Sequence, residues 1–443
     1  METNKDFKEN VSWVLIGNLS RAILGFILNI LTARLLSVNK FGIINYASTL
    51  IAFFSSLTAL GLDGVISKEF ADDEKNYNIY IKTSIIMRII VSLFVIILLI
   101  IFLLFSKENN KILMYVVLIQ SLRMIFSAFD IYIYWFRYNY KAKYVAIIRL
   151  ISFVISSAVK LIALIKYKSV ILYTIGNVLE TAIMSFILWS VYRKQYSKKM
   201  TFDRNKAKSM LKLSSPFIFS SILITIYGQT DKIMLKHMLS LESVAYYSTS
   251  LTLAGAFSVV ISAFIEAFRP EIMKLKAKSE KMYQIKLEQL YGITFWMCTL
   301  YCLIISVFSK TIVLLLYGSK YLEAAKVLPV VVWYSTFSYF GSINNIYLVA
   351  ENKTKYSQYI TLSGAIINIV LNLLLIPKFK IIGAAVASLL TQFLINFALL
   401  YLVPSLREAF RLLIRGITLK NINIKSVWQD VTRIFHRDQK EKK

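Results

Sequence analysis

The sequence predicts an all-α integral membrane protein: twelve transmembrane helices in two six-helix lobes, related by an internal parallel repeat. Three observations predict it. Of the 443 residues, 57% are hydrophobic and the mean hydropathy is +0.61, too apolar for a soluble domain. Apolar runs of about 20 residues, the length at which a helix crosses roughly 30 Å of hydrocarbon, recur along the chain. A short hairpin also occurs twice. Leu36-Ser37 closes the first run and Leu239-Ser240 closes the seventh, and 239 − 36 = 203 is nearly half the chain. A duplicated six-span bundle is the plan of a transporter that rocks two lobes about a central site.

The predicted spans are 11–34, 42–61, 83–105, 112–136, 145–165 and 170–192, then 213–233, 244–267, 290–309, 327–349, 357–376 and 382–404. The first lobe with its basic linker covers 1–208 and the second covers 209–404. The linker from Arg193 to Lys212 carries eight lysines and arginines. A cytoplasmic basic amphipathic tail covers 405–443. In it Ile424, Val427, Trp428, Val431, Ile434 and Phe435 form a stripe suited to an anionic inner leaflet.

The formal net charge of +28 raises nucleic acid as a partner, but the basic residues follow loop parity. The even-numbered loops and both termini hold most of them, which places both termini in the cytoplasm. Charge here reports topology, and no nucleic acid is expected. Cys298 and Cys302 lie one turn apart in the ninth span and read as buried fillers. With two histidines in the chain, no metal and no cofactor is expected. The outer loops are too short for a catalytic domain, so the chain is not read as an enzyme.

Ionisable groups inside spans carry the functional signal, because each costs about 2.5–3.5 kcal/mol at mid-depth. The first span bears Asn18, Arg21 and Asn29 on one face, and the fourth bears Gln120, Arg123 and Asp130. Arg149 and Lys160 lie in the fifth, Arg88 in the third and Glu180 in the sixth. Arg88 and Arg149 near the cytoplasmic ends, and Lys160 near the outer end, can also snorkel to headgroups. As a set, these cations exceed the carboxylates Asp130 and Glu180 and call for an anion or water. The second lobe offers a neutral polar face with Asn345, Asn368 and Asn372. Amides of this kind fit sugar hydroxyls and also fit helix packing.

Ala33-Arg34-Leu35-Leu36-Ser37 followed by Phe41-Gly42 resembles the first hairpin of the bacterial polysaccharide-biosynthesis exporters. The stretch from Tyr347 to Lys355 resembles the second-lobe signature of the same family, as do Asn368, Asn372 to Pro377 and Gly383-Ala384-Ala385. Ser215-Pro216 and Asp231-Lys232 also fit. The resemblance covers roughly residues 8–404. It implies the fold of the multidrug/oligosaccharidyl-lipid/polysaccharide exporter superfamily and a bacterial inner-membrane location. It implies an O-antigen-type flippase for undecaprenyl-pyrophosphate-linked O-antigen or capsule repeat units, with a polysaccharide polymerase and chain-length machinery as partners besides membrane lipids. On that reading Arg21, Arg88, Arg123 and Arg149 hold the pyrophosphate. Asn18, Asn29, Gln120, Lys160, Asn345, Asn368 and Asn372 line the polar path. Asp130 and Glu180 are candidates for proton or sodium coupling. A multidrug exporter of the same fold is the alternative.

Overall fold

The computed structural model describes residues 2–73, 76–106, 108–195 and 201–418. Among these residues the chain is helical and no strand forms. Nine helical runs among them are long and apolar enough to cross a membrane, in line with the all-α integral membrane expectation. The chain divides into two compact units, Met1–Ala245 and Tyr246–Lys443.

The first unit contains α1 (Glu2–Leu35), α2 (Val38–Thr58), α3 (Ile66–Asp72), α4 (Tyr77–Phe105), α5 (Lys111–Ser127), α6 (Ile131–Tyr138), α7 (Ala142–Ile162), α8 (Val170–Gln195) and α9 (Arg204–Met238). It ends in the first turn of α10 (Leu241–Ala254). Ser37 explains why α1 and α2 are separate helices. Its backbone is extended, and its hydroxyl accepts the Lys40 N–H at 3.3 Å, capping α2. The second hairpin repeats this device: the Ser240 hydroxyl accepts the Ser243 N–H at 3.2 Å. The two turns touch. Asn39 donates to Glu242 at 2.5 Å, across a separation of 203 residues. Gly42 lies so close to Leu241 that a Cβ there would sit 2.1 Å from the Leu241 carbonyl oxygen. The Phe41-Gly42 pair is therefore a contact requirement.

The predicted fourth span lies in one helical run, Lys111–Tyr138, with a change of helical type inside it. A 3₁₀ turn at Ala128–Asp130 separates α5 from α6 and sets Asp130 at that change. Beyond it an aromatic cluster fixes α3 and α6 in place. Tyr77 stacks on Trp135 at 3.9 Å between centroids, and Phe70 meets Trp135 edge-on at 5.5 Å. The region read as a linker is helical from Arg204 onward. Asp203 caps it by accepting the Asn205 and Lys206 N–H groups at 2.8 and 3.0 Å. Lys206 reaches Asp73 and the Tyr80 hydroxyl, each at 2.7 Å. Lys206 and Asn76 hold the exposed Asp73 carboxyl below the usual carboxylate range. Pro216 deprives the Lys212 carbonyl of its helical donor, and the Ser215 hydroxyl supplies one instead at 2.9 Å.

The second unit contains the rest of α10, then α11 (Ser258–Lys278), α12 (Glu280–Val307), α13 (Ser309–Tyr317), α14 (Leu322–Ala350), α15 (Lys355–Phe393), α16 (Leu399–Leu402) and α17 (Arg407–Ile417). The run called α15 folds back on itself. Lys380 has φ 53° and ψ −129°, shortly after Pro377. The two limbs then approach so closely that a Cβ on Gly383 would lie 2.2 Å from the Leu375 carbonyl oxygen. Residues of the second-lobe signature staple this unit together. Glu351 pairs with Lys276 at 2.6 Å, and Lys353 donates to the Ser405 carbonyl at 2.8 Å. Cys298 and Cys302 are free, buried thiols.

A further helix, α17, follows the last predicted span. Its apolar side, with Leu412, Leu413 and Gly416 buried, packs on α12, where a Gly416 Cβ would lie 2.4 Å from the Glu288 carbonyl oxygen. The stripe from Ile424 to Phe435 lies outside the described residues.

Replacing Gly383 by alanine should destabilise the protein by about 2 kcal/mol, the cost of overpacking a tight contact. Gly255→Ala, with nothing within 4 Å of the added methyl, should leave the melting temperature in detergent unchanged. Equal melting of both variants would contradict the fold-back at Lys380.

Candidate functional site: a cationic cavity in the first unit

A cavity of about 480 Å³ opens inside the first unit. Arg21 reaches it from α1, Arg88 from α4, Arg123 from α5, Arg149 from α7 and Glu180 from α8. Asp130 enters from the 3₁₀ turn after α5, and Asp63 from the turn after α2. Hydroxyls of Ser48, Ser55, Thr58, Ser127 and Thr181 complete the polar lining. The helical spacing of the polar residues on α1, α5 and α8 is what turns these groups to one side.

The charges are not equally available. Glu180 is bound on both oxygens, by Arg21 at 2.6 Å and by Lys160 at 3.0 Å. Arg88 is 4% exposed and donates to the Ala59 carbonyl at 3.0 Å and to Asp63 at 2.5 Å. Arg123 donates from Nε to the Thr181 hydroxyl at 3.2 Å and, among the described residues, pairs with no carboxylate within 4 Å. Among the same residues Arg149 likewise has no carboxylate within salt-bridge distance. Asp130 lies within electrostatic reach of Arg88, Arg149 and Arg123 but closes no ion pair. The cavity thus presents two arginines without a carboxylate partner, backed by two others that are already engaged. Guanidinium groups so placed can fork across the oxygens of a multivalent oxyanion.

All four sequence-selected arginines, Arg21, Arg88, Arg123 and Arg149, line this one cavity, together with Asp130 and Glu180. Lys160 does not snorkel outward: it is 3% exposed and sits behind Glu180 as its second counter-ion. Nor does Arg88 reach a membrane surface, because its guanidinium turns inward to Ala59 and Asp63. Gln120 is buried and donates to Ser48 at 2.9 Å, acting on the wall through that hydroxyl. Asn18 lines a small side niche with Arg21, Arg137 and Arg149. Asn29 is partly buried on α1 and does not line the cavity. Asn345, Asn368 and Asn372 belong to the second unit, where Asn372 donates to Asn368 at 3.0 Å. Asp63 escaped the sequence reading, since it stands in a connecting turn outside every span. The Gly61 and Gly64 that bracket it were the available signal. No group of three or more metal-ligating His, Cys, Asp or Glu side chains occurs among the described residues.

The architecture is shared with membrane flippases and multidrug exporters. The chain superposes on lipid II flippase MurJ in an inward closed conformation with a TM-score of 0.71, at 19% identity, covering 97% of this chain and 99% of that one. A multidrug resistance MATE family transporter of the MOP superfamily, inward-facing, gives a TM-score of 0.63 at 12% identity, over 90% and 98% of the two chains. The chain belongs to the polysaccharide biosynthesis protein family, whose model matches residues 7–276, more than half the chain. A MatE model matches residues 216–374. The capsular polysaccharide biosynthesis protein CapF of Staphylococcus aureus is 23% identical over 404 residues, 87% of this chain and 96% of its own length.

Glu180→Gln should destabilise the first unit by about 3 kcal/mol, because it leaves the buried Lys160 ammonium without its carboxylate. The partly exposed Arg21 adds little to that figure. Thermal unfolding in detergent measures the loss, and an unchanged transition would contradict the pairing.

Proposed function

We propose that the chain is a flippase that carries polyprenyl-diphosphate-linked oligosaccharides, O-antigen or capsule repeat units, across the bacterial inner membrane by alternating access. The observation that carries this reading is the cavity in which Arg123 and Arg149 face inward without carboxylate partners. Membership of the polysaccharide biosynthesis family supports the same substrate class. A diphosphate supplies the missing negative charge, the glycan meets polar walls, and the polyprenyl tail stays in the bilayer.

Twelve spans remain our topology. The nine apolar runs, the 34-residue α1, the 29-residue α14 and the fold-back within Lys355–Leu402 support that count. The distribution of basic residues between loops supports cytoplasmic termini. Asp130 is the stronger candidate for proton or sodium coupling, because both oxygens of Glu180 are already engaged. A polymerase and chain-length machinery would take the delivered unit on the far side.

The test is flipping in liposomes of a labelled polyprenyl-diphosphate oligosaccharide, with a lipophilic cationic dye in parallel. Arg123→Ala should lower glycolipid flipping by at least about tenfold, the weight of a charge-assisted hydrogen-bond pair. Arg123→Lys should retain part of it. Wild-type flipping by the alanine variant at equal protein content would remove Arg123 from the site. Movement of the dye alone would establish the multidrug reading in its place.

A further inference from the structure

Arg88 differs from the other arginines of the cavity in what it holds. It is nearly fully buried, and its Nη2 joins the Ala59 carbonyl to the Asp63 carboxylate. Its Nε, also buried, has no partner. Asp63 is half exposed on the cavity wall, which Tyr134 also lines. The backbone between the two acceptors of Arg88 is strained. Leu60 takes φ 53°, which a side chain other than glycine seldom adopts, and Gly61 follows at φ 58°.

The outer side of this turn has no slack. A Cβ on Gly61 would lie 2.7 Å from the Ile218 nitrogen and 2.8 Å from the Ser214 carbonyl oxygen. Gly64 lies flat against the Phe217 ring, with 3.1 Å to a built Cβ. These contacts fall on α9 at Pro216, where the helix has lost a backbone hydrogen bond. One strained turn therefore touches the anion cavity through Arg88 and Asp63, and the weak point of α9 through two glycines.

We propose that Arg88 is a positioning residue that exchanges Asp63 for the bound diphosphate, so that filling the cavity frees the Ala59–Gly64 turn from α9. This rests on the flippase reading above. A second anion beside Arg88 competes with Asp63 for the same guanidinium and repels its carboxylate. The unpartnered Nε and the Nη2 contact that Asp63 vacates are donors for that anion. Once Asp63 is displaced, the Arg88 bond to the Ala59 carbonyl is the side-chain tie left on the cavity side of Leu60. The turn relaxes, and α9 can bend at Pro216.

The full chain in lipid nanodiscs, spin-labelled at Lys68→Cys and Lys212→Cys, tests the exchange, with inorganic pyrophosphate as the probe. Both positions are exposed, and the native Cys298 and Cys302 are buried. Saturating pyrophosphate should lengthen the 68–212 separation by about 5 Å, one helical turn of displacement. Asp63→Asn should show the longer separation without pyrophosphate and respond little to it. Calorimetry separates the two levels of failure. Pyrophosphate that binds the wild type without moving the labels overturns the exchange and leaves the flippase reading standing. Absence of binding overturns both. An Asp63→Asn protein that keeps the short separation and responds like the wild type also overturns the exchange.

Discussion

Glu180 is one carboxylate holding two cations inside a helix bundle, and the charge balance of the first unit follows from that sharing. With Arg21 on one oxygen and Lys160 on the other, the charge of Glu180 is already shared between two cations. Burying unpaired guanidinium groups is costly, which is the physical basis of the proposed diphosphate site. Helices α1, α7 and α8 are tied at the same point, because the three members of the triad come one from each. The ion pairs that shape the cavity therefore also set its unmet charge.

Close backbone contacts through glycine do the corresponding work for the framework. Gly42 admits the Leu241 carbonyl, Gly383 admits Leu375, and Gly61 admits α9. At each place a methyl group would collide with backbone, so the helix ends meet in one register only. The Ser37 and Ser240 caps are 203 residues apart, and so are Asn39 and Glu242, which join the two hairpins.

Membrane character and helical class were legible because long apolar runs leave few alternatives. The cavity was legible for a related reason: an arginine in hydrocarbon is too costly to be incidental, and its helical spacing shows which side it faces. What stayed hidden depended on partners distant in sequence. Arg21 and Lys160 look equivalent to Arg123 until Glu180 is seen to claim them. Asp63 carries no span signal, and only its bond to Arg88 brings it into the site. The 3₁₀ turn at Ala128–Asp130 left no proline or glycine to mark it. Docking of α17 on α12 rests on Gly416, a small residue whose role appears only when the Glu288 backbone is beside it.

The central claim is that Arg123 and Arg149 are the free anion-holding pair while Arg21 is already spent on Glu180. An experimental structure of the protein with a short-chain polyprenyl diphosphate tests it most directly. The account predicts the diphosphate within hydrogen-bond reach of both Arg123 and Arg149, with Lys160 still on Glu180. A diphosphate held elsewhere, with Arg123 and Arg149 unchanged, would contradict it.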